Sequence, residues 1–161
     1  MAPKAQALAR PLLATDDLDY EAAFRALAEV HSEMRRDGVS TQLLLRRGLA
    51  RFALGNYLAA AFDAERVARQ EPDSMDAHYL KGQACVAMAA VRAGLAHPGI
   101  GVYMPSEALP ERSHLLAVAQ RSFEVVLRSD PDDRQARRGL ATVNEWQQQD
   151  EADRLWSPLA P

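Results

Sequence analysis

Residues 41–74 read TQLLLRRGLARFALGNYLAAAFDAERVARQEPDS. From Gln42 to Ala53 the apolar residues fall at 43, 44, 45, 49, 50, 52 and 53, with Arg46, Arg47 and Arg51 on the remaining arc. That spacing follows the period of a helix, not the alternation of a strand. Ser40 stands where an N-cap belongs. Leu54-Gly55-Asn56 breaks the helix, because Gly and Asn tolerate the left-handed conformation of a tight turn. An Ala-rich second helix is predicted over Tyr57–Gln70, with Ala60 and Ala64 small enough to let two helices approach. Pro72 ends it, since proline has no amide proton and disfavours helical geometry at Glu71. The stretch reads as a helix hairpin closed by a proline.

Parts of this hairpin return later in the chain. Gly82 lies 34 positions after Gly48, inside His78-Tyr79-Leu80-Lys81-Gly82-Gln83-Ala84. Pro131 closes a second unit as Pro72 closes the first, and Ala119, Phe123 and Val126 take the places of Ala60, Ala64 and Val67. A helix–turn–helix of about 34 residues with this pattern resembles the tetratricopeptide repeat (TPR). The second unit resembles the co-chaperone subtype of that family. The resemblance covers roughly residues 41–146. It departs from the family where a Trp is replaced by Leu44 and then His78, and where a Tyr is replaced by Arg51 and then Cys85. It implies one all-α domain, a TPR-like α-solenoid of antiparallel helix hairpins with about six or seven helices.

The rest of the chain follows from that frame. Residues 1–14 are rich in Ala and Leu, interrupted by Pro3 and Pro11, and read as a short helix or an ordered arm. Thr15-Asp16-Asp17 is a capping cluster. A helix over Asp19–Arg36 puts Tyr20, Ala23, Leu27 and Val30 on one face, and Asp37-Gly38 stops it. Residues 15–38 thus read as half of a degenerate N-terminal repeat. The second full repeat, 75–131, opens with Asp73 or Ser74 as cap and a helix over Met75–Arg92. Pro72 and Pro131 are 59 positions apart, 25 more than one repeat needs. The excess reads as an insertion at about 90–114, a loop by its three Gly and two Pro between Gly94 and Pro105, with Ser106 capping a brief turn. Loops this long are functional or disordered in most compact domains, and this one is not polar. Leu95, Ile100, Val102, Tyr103 and Met104 either fold back on the domain or extend its binding surface. A helix over Glu111–Arg128 restores the pattern, and Asp130-Pro131-Asp132-Asp133 makes the next turn. The last helix, 134–155, is a C-terminal partial repeat or cap. Arg137-Arg138-Gly139-Leu140-Ala141 repeats residues 46–50, yet counting from Pro131 puts Ala141, not Gly139, in the place of Gly48.

Composition narrows the function. The chain of 161 residues is 48% hydrophobic and 25% charged, which suits one globular domain. A net charge of −3 gives no basic field to recruit nucleic acid or anionic membrane. No apolar run reaches the length of a membrane span. The single cysteine, Cys85, fits a reducing compartment such as the cytoplasm; the absence of acidic residues before Asp16 is also compatible with an organelle transit peptide. His31, His78, His97 and His114 have no metal-ligand spacing with one another or with Cys85, so no metal is expected. His78 and Cys85 are expected as packed core residues. The acidic groups at 130, 132 and 133 are expected as caps. Phosphate-loop and nucleophile-elbow motifs are absent. No cofactor and no catalytic residue are expected.

The expected function is therefore protein–protein interaction, as an adaptor, chaperone, assembly factor or other scaffold. In the family the first helix of each pair lines a concave groove. That resemblance assigns the groove here to Leu45, Arg46, Leu49, Phe52, Tyr79, Leu80, Gln83 and Val86. The family's clamp for a C-terminal carboxylate needs Lys and Asn where this chain has Leu45 and Leu49, so that clamp is absent. An apolar groove suits an amphipathic or extended segment of a partner polypeptide, unless the protein's own loop or termini cover half of it. The insertion residues Ile100, Val102, Tyr103 and Met104 are candidate contacts beside it. The rival readings are a structural subunit held through its insertion or convex face, and an enzyme or nucleotide binder without a recognisable motif. Neither the partner nor the oligomeric state is legible.

Overall fold

The structure is a computed structural model, and it describes residues 20–97, 99 and 105–157. The readings of residues 1–14 and of Thr15-Asp16-Asp17 lie outside those residues. The described chain is all-helical: α1 Tyr20–Asp37, α2 Thr41–Ala53, α3 Tyr57–Gln70, α4 Met75–Arg92, α5 Arg112–Ser129 and α6 Arg134–Trp156, with a 3-10 turn at Ser106–Ala108. The helix ends agree with the periodicity within one residue, because the punctuation is chemical. Ser40, Asn56, Ser74 and Asp133 each accept a hydrogen bond from the backbone amide three residues on, at 3.2, 3.3, 3.4 and 2.8 Å. Ser74, not Asp73, is the cap of α4. Gly38 and Gly55 follow α1 and α2 at φ 87° and 75°, conformations that close a helix and that side chains resist.

Each helix packs antiparallel against the next. The backbones of α2 and α4, and of α4 and α6, also come close, whereas those of α1 and α3, and of α3 and α5, do not. The helices thus form two layers, α2, α4 and α6 in one, with α4 touching both of the others, and α1, α3 and α5 in the other. Burial follows the same alternation. Ala23 and Val30 in α1, Ala60 and Val67 in α3, and Ala119 and Val126 in α5 are all buried. In the other layer the matching pairs are Leu43 and Ala50, Ala77 and Ala84, and Ala136 and Val143. Every pair is seven residues apart, two turns of helix on one face.

Between α4, α5 and α6 sits Phe123, fully buried. A Cβ placed on Gly82 would come within 2.8 Å of its ring, and one on Gly139 within 2.5 Å. The ring is held between two glycines from different helices and has nowhere to retreat. Gly139 is sixth in α6, while Gly48 and Gly82 are eighth in α2 and α4. The turn before α6 has the same length as the one before α4, so the five-residue match of 137–141 to 46–50 is not a match of position. Gly139 is nonetheless buried and Ala141 exposed, because the aromatic ring needs room on that side.

The connection from α4 to α5 spans 93–111. α4 and α5, at 18 residues each, are longer than α2 at 13 and α3 at 14. Nine of the 25 additional positions therefore lie in helix and only sixteen in the connection. Its described parts return to the domain. Leu109 is buried in the core cluster that Ala96 packs against. Arg92 donates to the Leu109 carbonyl at 3.0 Å and to Glu111 at 2.7 Å. Gly99 lies so close to the backbone of Leu54 and Gly55 that no side chain fits there. Leu95, in contrast, is exposed. Ile100, Val102, Tyr103 and Met104 lie outside the described residues.

The glycine–phenylalanine contact gives a stability prediction. Gly82→Ala and Gly139→Ala should each destabilise the protein by about 1–3 kcal/mol in urea denaturation, despite the better helix propensity of Ala. Phe123→Leu should recover part of that loss in the double variant. Additive losses would show that the ring does not set the spacing.

Candidate functional site

The eight groove residues do not form one open surface. Leu45, Phe52, Tyr79 and Leu80 are each at most 8% exposed. Leu45, Phe52 and Leu80 belong to the core cluster of α2, α3 and α4, and Tyr79 to that of α4, α5 and α6. Phe52 lies against Tyr57 with ring centroids 5.1 Å apart, and Tyr79 meets Phe123 edge-on at 6.2 Å. These four are corrected from groove to core. They are covered by the protein's own helices, with Tyr57 of α3 against Phe52 and Phe123 of α5 against Tyr79.

What remains open is shallower. Leu49, Gln83 and Val86 are half-buried, as are Ala53, Ala87 and Ala90 on the same two helices. Gln83 donates from Nε2 to the Tyr79 hydroxyl at 3.2 Å, which fixes its amide. Arg46 does not edge the groove freely: it pairs with Glu33 of α1 through Nη1 at 2.7 Å and Nη2 at 3.1 Å. The remaining strip is a floor of small and aliphatic side chains with one oriented amide.

Arg47 and Arg51 stand on the arc that the apolar positions of α2 leave. Both turn onto Asp63 of α3, which is 1% exposed. Arg47 grips it with two bonds, Nη2 to Oδ1 at 2.6 Å and Nε to Oδ2 at 3.0 Å, and Arg51 adds Nη1 to Oδ2 at 2.8 Å. A buried carboxylate needs such partners, because desolvation of an unpaired charge is expensive. The bonds hold Arg47 above its ordinary pKa, chiefly through the hydrogen bonds to Asp63. Glu65 of α3 pairs with Lys81 at 2.5 Å, which ties α3 to α4, and with Arg69 of its own helix at 3.0 Å. The hydrogen bond from Lys81 is the main reason that the Glu65 carboxyl sits below its usual range.

The remaining chemical groups have structural places. The Cys85 thiol is buried, and burial pushes its pKa up to about 11, so it is not a thiolate at neutral pH. His78 is only half-buried, and its Nε2 lies 2.8 Å from the Pro72 carbonyl, a correction to its expected place in the core. Asp133 caps α6, Asp130 accepts from the Asp132 amide at 3.1 Å, and Asp132 pairs with Arg137 at 2.8 Å. No group of three or more potential metal ligands occurs among the described residues. No described helix is long and apolar enough to cross a membrane. An open depression of about 680 Å³ on α5 is lined by Arg121, Glu124, Val125, Leu127 and Arg128.

The sequence reading missed the outer layer. Tyr20, expected on the packed face of α1, is exposed, as are Phe24 on α1 and Phe62 on α3. At the far end Leu155 and Trp156 are exposed in the last turn of α6, beyond the point where Arg112 stacks on Trp146 at 5.1 Å and meets Asp150 at 3.3 Å. Their apolar character was visible in the sequence; their exposure was not. The chain matches no protein-family model, no curated protein and no solved structure.

Removing the charge that both arginines share tests the tie between α2 and α3. Asp63→Asn should cost about 3–5 kcal/mol of stability in chemical denaturation, since it leaves two partly buried guanidiniums without a counter-charge. Glu33→Gln, which breaks the half-exposed pair with Arg46, should cost about 1 kcal/mol or less. Equal losses would show that burial does not govern these pairs.

Proposed function

We propose that this chain is a TPR-like scaffold that binds a partner polypeptide along the layer formed by α2, α4 and α6, and that it catalyses no reaction. The observation that carries this reading is the layer itself. Of three helices from successive hairpins, the middle one, α4, touches both α2 and α6 there, while the helices of the opposite layer do not come close to one another. Such an arrangement bends the row of helices and leaves a continuous concave surface. The seven-residue pairs, buried in both layers, support the reading of the hairpins as units of one repeat, with 93–111 as an insertion into the second.

The occupied surface differs from the one the family pattern assigns. Leu49, Ala53, Gln83, Val86, Ala87 and Ala90 are the residues within reach of a partner. A floor of small side chains admits close approach of a backbone, and the Gln83 amide offers one directed polar contact. An extended or amphipathic segment with small apolar side chains fits this floor. A second reading rests on a separate observation: Phe24 and Phe62 are exposed on the outer layer, which suits a subunit held in a larger complex through that face.

Affinity purification of the tagged protein from its own cells identifies the partner and separates the two readings. Leu49→Glu with Ala87→Glu should abolish capture of that partner while the melting transition is retained, and Phe24→Ser with Phe62→Ser should leave capture intact. The reverse pattern overturns the concave-face reading in favour of the outer face. Charge at Leu45 or Phe52 would report on folding instead, since both are buried.

A further inference from the structure

α6 outruns the helix it packs on. Arg112, the first residue of α5, pairs with Asp150 of α6 at 3.3 Å and stacks on Trp146. α6 then continues to Trp156, and every residue from Glu151 to Ser157 is exposed. Leu155 and Trp156, at 74% and 88%, are the two most exposed large apolar side chains among the described residues. They are adjacent, on a helix end that no other element packs against, where a helix is marginal in water. The charges around them are Glu151, Asp153 and Arg154, none with a partner among the described residues.

A surface that matches this tip lies on α5. The open depression of about 680 Å³ there is lined by the half-buried Val125 and Leu127, with the exposed Arg121, Glu124 and Arg128 at its rim. Arg121 and Arg128 are two turns apart on one face of the helix, and neither has an ion-pair partner among the described residues. Glu124 accepts a hydrogen bond from Gln120 at 3.0 Å. The rim thus carries two cations and one anion, and the tip two anions and one cation.

Tip and depression of one chain cannot meet. α5 and α6 run antiparallel, with Gln147 bonded to Gln120 at 3.2 Å. At about 1.5 Å of rise per residue, Trp156 lies about 9 Å beyond the Arg112–Asp150 pair, and Glu124 about 18 Å to the other side of it. We propose that the occupant is a second copy of this chain: Leu155 and Trp156 of each molecule enter the α5 depression of the other. A two-fold axis crossing the α5–α6 pair midway between tip and depression brings both tips level with both depressions in one antiparallel register, so the contact closes as a dimer. Glu151 and Asp153 then face Arg121 and Arg128, and Arg154 faces Glu124, which selects this pairing. The two tips and the surfaces that receive them bury on the order of 1,000 Å², near the lower end for a specific interface. A reversible dimer follows, and it shares no residue with the floor on α2 and α4.

Sedimentation velocity of the full chain from about 1 to about 200 μM tests this, and should show a monomer–dimer equilibrium that weakens with added salt. Leu155→Ser with Trp156→Ser should weaken association by about tenfold or more, with the melting transition retained because both side chains are exposed. Arg121→Glu with Arg128→Glu, and separately Glu151→Arg with Asp153→Arg, should each give monomers. Mixed in equal amounts, these two variants should form a heterodimer, in which one contact is native and the other has its charges reversed on both sides. The proposal is overturned if the parent stays monomeric over that range, if the Leu155 and Trp156 variant associates as the parent does, or if the mixed charge variants stay apart. It is also overturned if Phe24→Ser with Phe62→Ser abolishes association instead.

Discussion

The fold depends on how closely other helices can approach α4. It contacts α2, α3, α5, α6 and the 3-10 turn, more elements than any other helix does. A helix approached from several sides needs small side chains where neighbours come closest, and on α4 Ala77, Gly82, Ala84, Cys85 and Ala89 are buried beside the larger Tyr79, Leu80, Met88 and Val91. Where one large group is needed to fill the space between helices, Phe123 supplies it from α5, and glycines on α4 and α6 make room. Volume is conserved across the contact, which is what close packing of a core requires.

The two hairpins solve the same spatial problem with different chemistry. In the first, a Cβ on Gly48 would sit 3.3 Å from the Cβ of Asp63, and the side chain beyond it is a carboxylate held by two arginines. In the second, the glycine faces an aromatic ring. The position that matches Asp63 in α5 is Ser122, whose hydroxyl donates to the Val118 carbonyl at 2.9 Å within its own helix. One hairpin is joined by a buried ion cluster that fixes orientation, the other by dispersion and shape. The first will respond to pH and charge, the second to volume.

Most of the helix boundaries were legible because they are set by local chemistry. Pro72, Gly38, Gly55 and the capping residues act within a few positions of where they stand. The groove was less legible. Periodicity put Leu45, Phe52, Tyr79 and Leu80 on one side of their helices, but whether that side is open depends on other helices, as Tyr57 of α3 against Phe52 and Phe123 of α5 against Tyr79 show. The partner of the arginines was not legible for a related reason. Helical spacing places Arg47 and Arg51 on a polar arc, yet their long side chains reach Asp63, 12 to 16 residues further on. The limits of the span from α4 to α5 were legible too: helices expected over Met75–Arg92 and Glu111–Arg128 are found at Met75–Arg92 and Arg112–Ser129, because the Gly and Pro at its centre and the periodicity on either side act locally.

The unequal links between paired helices have a kinetic meaning. α2 and α3 are joined by three residues, 54–56, while α4 and α5, which share the most extensive helix–helix contact, are joined by nineteen, 93–111. Closing the longer link carries an extra entropic barrier on the order of 1–2 kcal/mol. Arg92, bonded to Leu109 and Glu111 at the two ends of that link, acts only once the ends have met. The short hairpin thus closes at the lower entropic cost, and the most extensive helix–helix contact has the longer loop to close.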